Sequence, residues 1–262
     1  MQVVILTAVL VGSAALPLMA QDYDECRHQA QRSATVDARG ARRLLVGAGS
    51  GSLKIEGKPG LTTVRITGRA CASSADLLDE IKLSACRSGE DVVVEANERK
   101  NEGGWNYREN QYARLDVVME VPARMAAEID DGSGSIDLSN LGAVNIEDGS
   151  GDIVADNLNG AVEIDDGSGG IRLVDIAGGV RIDDGSGTIT LRNIGGAIDI
   201  DDSSGEIDVR GARNNVRISD SSGSIDVADV DGDFVVTNDS SGGIDYDNVK
   251  GKVDIPRRKR DR

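Results

Sequence analysis

Short hydrophobic stretches alternate with acidic, glycine-bearing turns through the second half of the chain. In the segment AVEIDDGSGGIRLVDIAGG, the pattern predicts a strand at 162–164, a turn at 165–170, a second strand at 171–173 and a corner near Ile176. Hydrophobic and polar residues alternate within each strand, as they do when one strand face is buried. Strands this short are not stable as isolated hairpins, so neighbouring units are expected to stack on one another.

The unit recurs at a nearly constant interval. The second inward residue of its first strand returns every 17 to 19 residues, at Ile129, Ile146, Ile164, Ile182, Ile200, Ile218, Val236 and Ile255. Such a period is typical of a solenoid. We therefore predict an all-β fold, a single-stranded parallel β-helix or β-solenoid with about 18 residues per coil and a right-handed sense.

Stacking of the coils predicts columns of side chains. The first inward position should form a buried column that Phe234 closes near its end, made of Val144, Val162, Val180, Ile198, Val216, Phe234 and Val253. Pro256 should end the last strand, because proline donates no ladder hydrogen bond. The polar position between the inward residues alternates in charge, through Glu163, Arg181, Asp199 and Arg217. This alternation predicts a ladder of opposite charges, with unordered solvated charges as the alternative.

The IDDGSG turn places one carboxylate per coil in a turn column, with Asn238 or Asp239 as its continuation: Asp131, Asp148, Asp166, Asp184, Asp202 and Asp220. The structural interpretation is that each carboxylate accepts backbone N–H groups two or three residues on, while glycine supplies a positive φ. The alternative is Ca²⁺ held between coils, as in calcium-binding β-rolls, whose turns DDGSG resembles. The nine-residue GGxGxD repeat and the DxDxDG loop are absent, so no metal site or cofactor is predicted.

Residues 21–125 follow the same logic less regularly and form an irregular N-terminal part before the regular repeat at 126–255. A degenerate turn and strand occupy 46–55, and strand patterns follow at 61–67, 81–85, 92–95 and 115–121. The stretch SSADLLDEI predicts a short helix with Ser73 or Ser74 as its N-cap, placed to cover the open end of the solenoid.

A polar loop at 99–114 contains the only tryptophan, and its aromatic residues are Trp105, Tyr107 and Tyr112. Long inserts with aromatic side chains often bind a ligand, so this is the candidate ligand loop, suited to a sugar or a protein partner. In the alternative interpretation, Trp105 packs against the side of the solenoid and pins the loop.

The first twenty residues, MQVVILTAVLVGSAALPLMA, predict a signal peptide cleaved before Gln21 rather than a membrane anchor. Export places the three cysteines in an oxidising compartment. Alternation in IKLSAC turns Cys86 outward, which favours a Cys26–Cys71 disulfide. Loop closure would contribute ~4 kcal/mol for this pair and ~3 for Cys71–Cys86, so the entropies alone do not decide the pairing, and the absence of any disulfide is the remaining alternative.

Charge narrows the functional classes. The chain has a net charge of −16, and residues 126–255 contain 28 Asp and Glu against 8 Lys and Arg, which argues against nucleic-acid binding. The basic tail at 256–262 either folds back onto the acidic body, binds an anionic surface such as lipopolysaccharide or lipid headgroups, or stays solvated.

Arg172, Arg192 and Arg210 are outward candidates for the base of a polysaccharide-cleaving β-helix. His28 is the only histidine and no catalytic constellation is visible, so we predict no enzyme.

The segment LDVVMEVPARMAAEIDDGSGSIDL, residues 115–138, resembles the hallmark of the bacterial putative-adhesin family of Gly-rich envelope β-solenoids. The resemblance lies in Val121-Pro122, which ends a hydrophobic strand, and in the SG(x)I turns that begin at Ser133, Ser150, Ser168, Ser186, Ser204, Ser222 and Ser241. The segment GRACASSADLL and the early Cys26 are similar to exported members. The resemblance covers most of residues 26–255.

The resemblance implies a periplasmic or surface protein that binds or scaffolds, and it transfers no binding residues. The expected partner is an envelope or surface ligand, either a glycan or a protein. A stacking element that self-associates through open solenoid ends is a further hypothesis.

Overall fold

The computed structural model describes residues 26–97 and 111–256. The fold predicted from the repeat is confirmed, since strands make up 68% of the described residues and form a β-solenoid of about 7 turns, roughly 18 residues apart. The handedness of the coil stays a prediction. No helix in the described ranges is long and apolar enough to cross a bilayer.

The described residues of the irregular part form seven strands and one helix, α1 (Ala75–Glu80). Its strands are β1 (His28–Asp37), β2 (Arg43–Ala48), β3 (Leu53–Lys58), β4 (Thr63–Ala72), β5 (Lys82–Ser88), β6 (Asp91–Asn97) and β7 (Ala113–Pro122). The regular part continues with β8 (Ala126–Asp131), β9 (Ile136–Ser139), β10 (Val144–Asp148), β11 (Ile153–Leu158), β12 (Val162–Asp166), β13 (Gly169–Ile176), β14 (Val180–Asp184), β15 (Gly187–Ile194), β16 (Ile198–Asp202), β17 (Gly205–Ala212), β18 (Val216–Val230), β19 (Phe234–Ser241), β20 (Ile244–Val249) and β21 (Val253–Asp254).

Each regular coil contributes one strand to each of two parallel sheets. The first strand of the unit pairs with its copies one coil away, so Val162 of β12 lies between Val144 and Val180. The second strand does the same in the other sheet, where Ile171 lies between Ile153 and Ile189. The inward residues of both sheets are buried and form one continuous hydrophobic core. Burial of each such side chain contributes roughly 1.5–3 kcal/mol.

The predicted hydrophobic column keeps its register to the last coil, where Phe234 pairs with Val253. Phe234 is fully buried, whereas Val253 is 36% exposed. The Phe234 ring also contacts Tyr246, with ring centroids 6.0 Å apart. The largest side chain of the column therefore fills the core just before the coil ends, as predicted.

Glycine is required inside each turn because the backbones of successive coils nearly touch there. Gly187 has a φ of 153°, and a Cβ atom at this position would lie 1.6 Å from the carbonyl oxygen of Gly169. The same conflict recurs one coil earlier, between Gly169 and Gly151 at 1.7 Å. This contact explains physically why every SG(x)I turn carries glycine at its second position.

The irregular part departs from a simple parallel coil in its stacking order. The coil formed by β2 and β3 lies between the β6–β7 coil and the β8–β9 coil, so spatial order and chain order differ here. Beyond β6 and β7, the strands β1, β4 and β5 pair antiparallel with their neighbours. The N-terminal end is thus closed by antiparallel strands, which the periodicity of short strands did not predict.

Helix α1 lies at this closed end. Ser74 is its N-cap, and its Oγ accepts a hydrogen bond from the N–H of Leu77 at 3.3 Å. The guanidinium of Arg32 on β1 donates to the carbonyl oxygens of Leu78 and Ile81, each at 3.2 Å. These bonds satisfy carbonyls at the end of the helix and hold it against β1.

Candidate functional site

The predicted turn column lies inside the coil. Each carboxylate follows the inward alternation of its strand, and five of the six end that strand, as Asp166 does at the end of β12, while Asp220 lies within the longer β18. All six members are 0–6% exposed, namely Asp131, Asp148, Asp166, Asp184, Asp202 and Asp220. The sequence placed these side chains in a turn, and the structure adds that the turn directs them inward.

One oxygen of most of these carboxylates is used locally. The Oδ1 atom of Asp166 accepts a hydrogen bond from the N–H of Ser168 at 3.1 Å, and Asp184 accepts the equivalent bond from Ser186 at 3.1 Å. The same bond occurs at Asp148, Asp202 and Asp220, over 2.9–3.2 Å. This is the turn hydrogen bond of the structural interpretation, with the serine N–H two residues on as its donor.

The second oxygen of each carboxylate is buried. The Oδ2 atoms of the five hydrogen-bonded members, and both oxygens of Asp131, have no hydrogen-bond partner in the described part of the chain. Burial, reinforced by the neighbouring carboxylate of Asp148, raises the pKa of Asp131 to about 7. Burial likewise raises the pKa of Asp166 and of Asp202 to about 6, again reinforced by neighbours in the column. The column therefore retains protons in a pH range where an ordinary aspartate is ionised.

No group of three or more His, Cys, Asp and Glu side chains placed to hold a metal ion occurs within residues 26–97 and 111–256. One oxygen in five of the six column carboxylates is also committed to a backbone N–H. The arrangement can bind protons through its buried carboxyl oxygens.

The outward charge ladder is formed. Arg181 lies between Glu163 and Asp199, with nitrogen–oxygen distances of 3.9 and 3.5 Å. Arg217 continues it, with its Nε atom 3.6 Å from a carboxylate oxygen of Asp199. In the other sheet, the guanidinium groups of two of the arginines considered for catalysis are occupied. Arg192 pairs with Asp208, and Arg210 pairs with Asp208 at 3.0 Å.

A disulfide joins Cys26 to Cys71, whose Cα atoms are 5.6 Å apart. This is the pairing favoured from the sequence. It attaches the segment before β1 to the buried end of β4, while Cys86 is free and exposed on β5. The disulfide therefore lies in the irregular part of the molecule.

Two residues of the candidate ligand loop, Trp105 and Tyr107, lie outside the described residues. Tyr112 is 37% exposed, and its hydroxyl accepts a hydrogen bond from the N–H of Arg27 at 3.1 Å. Its carbonyl accepts another from the N–H of Ser73 at 2.9 Å. Tyr112 thus connects the loop to the disulfide-linked segment, and its role in ligand binding stays a prediction.

The sequence reasoning missed a second polar column, at the corner that follows the second strand of each coil. Its non-glycine residues have φ between 50° and 59°, at Asn140, Asn157, Asp175, Asn193, Asp229 and Asn248. Side-chain amides join neighbours, as in the 2.7 Å bond from Nδ2 of Asn157 to Oδ1 of Asn140. The signal was present, since Asn, Asp or Gly recurs four residues after the isoleucine of every SG(x)I turn. Asn and Asp tolerate this left-handed conformation better than other non-glycine residues.

No family model matches the sequence, and no curated protein matches it either. Similar solved structures include a putative cell adhesion protein from Clostridium sporogenes (12% identity, 87% of this chain and 99% of that one, TM-score 0.33). Others are a putative adhesin from Bacteroides fragilis (10%, 88% and 98%, TM-score 0.46) and a putative lipid binding protein from Parabacteroides distasonis (11%, 87% and 97%, TM-score 0.34). Adhesin names thus recur among the structural neighbours. At such low identities and TM-scores, these neighbours carry no argument about the family, the ligand or the role of this chain.

Proposed function

We propose that this chain is an exported, non-catalytic cell-envelope β-solenoid that binds or scaffolds in the manner of an adhesin. One observation supports this most. The carboxylates of the turn column are buried, and five of the six are hydrogen-bonded into turns. The outer surface instead presents side chains at fixed spacing on a packed core, which suits a rigid display surface.

The disulfide supports the exported location, because such bonds persist in oxidising compartments. The predicted signal peptide at 1–20 lies outside the described residues and remains part of the proposal. The ligand class we propose is an envelope or surface glycan, with a protein partner as the second choice.

The direct test measures binding of fluorescently labelled protein to intact bacterial cells and to immobilised envelope polysaccharide. We expect saturable binding that is lost in a Gly187→Val variant, whose turn cannot pack against the coil next to it. Trp105→Ala tests the loop separately. If it leaves binding unchanged, the loop is not the binding site. If the folded protein binds neither cells nor polysaccharide, the adhesin-like proposal is wrong.

The unpartnered Oδ2 atoms of the Asp column favour one alternative, a solenoid stabilised by Ca²⁺. Thermal melts in EDTA, followed by titration with calcium or magnesium, separate the two ideas. We expect no shift selective for calcium, because one oxygen of most column carboxylates is already bound to a turn N–H. A saturable rise in Tm at or below low-millimolar calcium, absent with magnesium, would establish ion sites.

A further inference from the structure

A polar groove opens where spatial order and chain order of the coils disagree. The chain leaves the β2–β3 coil at Lys58 and Pro59, and the segment after β7 passes this point to reach β8 on the other side. The resulting cavity has a volume of about 480 Å³, which is within the usual range for small-molecule sites. Its polar lining residues are Glu56, Lys58, Arg124, Asn140, Asn157 and Asn159.

Arg124 is unusual in this groove for its backbone conformation. Its φ is 64°, in the left-handed region. The corner column that begins at Asn140 fills such positions with Asn, Asp or Gly, which adopt this conformation readily. An arginine there carries a conformational cost, and costs of this kind concentrate at functional sites.

The Arg124 side chain is also exposed and uncommitted. Its backbone N–H donates to the carbonyl oxygen of Asn140 at 3.0 Å, which fixes the corner. Its guanidinium makes no hydrogen bond or ion pair within the described ranges, unlike those of Arg192 and Arg210. The groove acid Glu56 is already paired with Lys58. Arg124 is therefore available to a ligand anion.

The side-chain amides beside Arg124 have hydrogen-bond donors and acceptors that the bond between them does not use. Asn157 donates to Asn140, and this bond does not use the amide hydrogens of Asn140 or the side-chain oxygen of Asn157. At later corners the same ladder contains an acid, as in the bond from Asn193 to Asp175. The side-chain ladder at the groove is thus neutral, and Arg124 is the unpaired cation beside it among the described lining residues.

We propose that this groove binds the carboxylate-bearing sugar of an acidic carbohydrate. Arg124 would hold the carboxylate, and the amides of Asn140 and Asn157 would hold ring hydroxyls. A guanidinium recognises a carboxylate through charge-assisted, often bidentate hydrogen bonds. The polar, solvent-open lining suits a hydrated sugar better than an apolar ligand. This assignment rests on the proposed adhesin-like function and names the ligand class that it would recognise.

The negative repeat region does not prevent such binding. Exposed charges more than about 8 Å apart are largely screened at physiological ionic strength, so the distant carboxylates of the repeat act only weakly on a ligand at Arg124. The groove also adjoins the irregular part, where Lys and Arg outnumber Asp and Glu by 16 to 13 over residues 26–125.

The test uses the purified full chain with tetragalacturonic acid as the probe and its fully methyl-esterified form as the uncharged match. Calorimetry measures affinity, and NMR follows the side-chain amide signals of Asn140 and Asn157. We expect saturable binding of the acid, about tenfold or more weaker for the ester, as expected when one charge-assisted contact is lost. The two amide signals should shift during the titration with the acid.

Two variants keep the left-handed corner while changing its chemistry. Arg124→Asn removes the cation, and Asn157→Asp reproduces the acidic corner found at Asp175 and Asp229. Each should weaken binding of the acid about tenfold or more. Arg213→Asn, at an exposed corner outside the groove, is the matched control and should bind normally. Circular dichroism confirms that each variant is folded.

Equal affinity in Arg124→Asn, equal affinity for acid and ester, or no saturable binding up to about 10 mM would overturn the groove assignment. If the protein still binds cells or envelope polysaccharide in that case, the adhesin-like function stands and its site lies elsewhere. If it binds neither those surfaces nor the acidic sugar, both proposals fail together.

Discussion

The two parts of the solenoid differ in charge and in how they are held together. Residues 26–125 contain 16 Lys and Arg against 13 Asp and Glu, a net charge of +3, whereas residues 126–255 contain 8 against 28, a net charge of −20. The basic part is closed by antiparallel strands and a disulfide. The acidic part repeats one coil whose glycines, carboxylates and aliphatic residues each stack on their own kind. The acidic part is thus held together by the stacking of similar coils, and the basic part by antiparallel strand pairing and a disulfide.

A single glycine substitution should produce the largest difference between the two parts. In the repeat, a Cβ atom at Gly187 would lie 1.6 Å from the carbonyl oxygen of Gly169 in the preceding coil. Gly187→Ala should therefore lower the free energy of unfolding by more than ~4 kcal/mol, which marks an exceptional loss. Urea denaturation followed by circular dichroism measures it.

Gly60→Ala in the irregular part is the matched control. Gly60 also has a positive φ, of 75°, but nothing lies within 4 Å of the added Cβ atom. Only the backbone cost of about 1–2 kcal/mol remains. Equal losses in the two variants would show that coil stacking does not impose the glycine.

Removal of the disulfide should affect the irregular part selectively. The Cys26–Cys71 bond closes a separation of 45 residues, so Cys26→Ser with Cys71→Ser should destabilise that part by ~4 kcal/mol in the chain-entropy model. Hydrogen exchange should accelerate in β1 and β4 and remain slow in β12 to β17. The control is Cys86→Ser, which alters an exposed free thiol and should change nothing. Equal acceleration in both parts would mean that the solenoid unfolds as one unit.

The acidic repeat should become less stable as pH rises. Burial raises the pKa of Asp166 from 3.8 to about 6, so the folded state keeps a proton that the unfolded state has released. The free energy of unfolding should then fall between about pH 4 and pH 7, by at most ~3 kcal/mol for each such carboxyl. Tm measured from about pH 4.5 to about pH 8 follows the change.

Asp166→Asn isolates the contribution of one carboxyl to this slope. The amide oxygen can still accept the N–H of Ser168, and the added N–H₂ can donate to neighbouring carboxylates in the column. The variant should be more stable than the parent near pH 8 and should show a shallower decline, whereas Asp165→Asn, on the outward position beside it, should not. A parent protein whose stability rises from pH 5 to pH 8 would contradict the buried-proton explanation.

The regular part could be predicted from the sequence because the same aliphatic, acidic and glycine positions return at a nearly constant interval. Period, inward columns and the charge ladder all follow from alternation around residues such as Val162 and Glu163. The inward direction of Asp166 was missed because a carboxylate in a turn is usually solvated, and only the stacked backbones exclude water there. The position of β2 and β3 was missed because strand patterns do not encode spatial order.

The smallest expected effect concerns the outward ladder, and it tests whether the charge pattern of the repeat is stabilising at all. Arg181 lies between two carboxylates, but its side chain is 69% exposed. Exposed pairs contribute little, so Arg181→Gln should cost only ~0.5–1 kcal/mol at low salt and nothing measurable near about 1 M salt. Arg172→Gln, an exposed arginine without an ion pair in the described residues, is the control. If both substitutions have the same effect, Arg181 acts only through the net charge of the repeat. If only Arg181→Gln is destabilising, the alternation of charge from coil to coil contributes to the register of the strands.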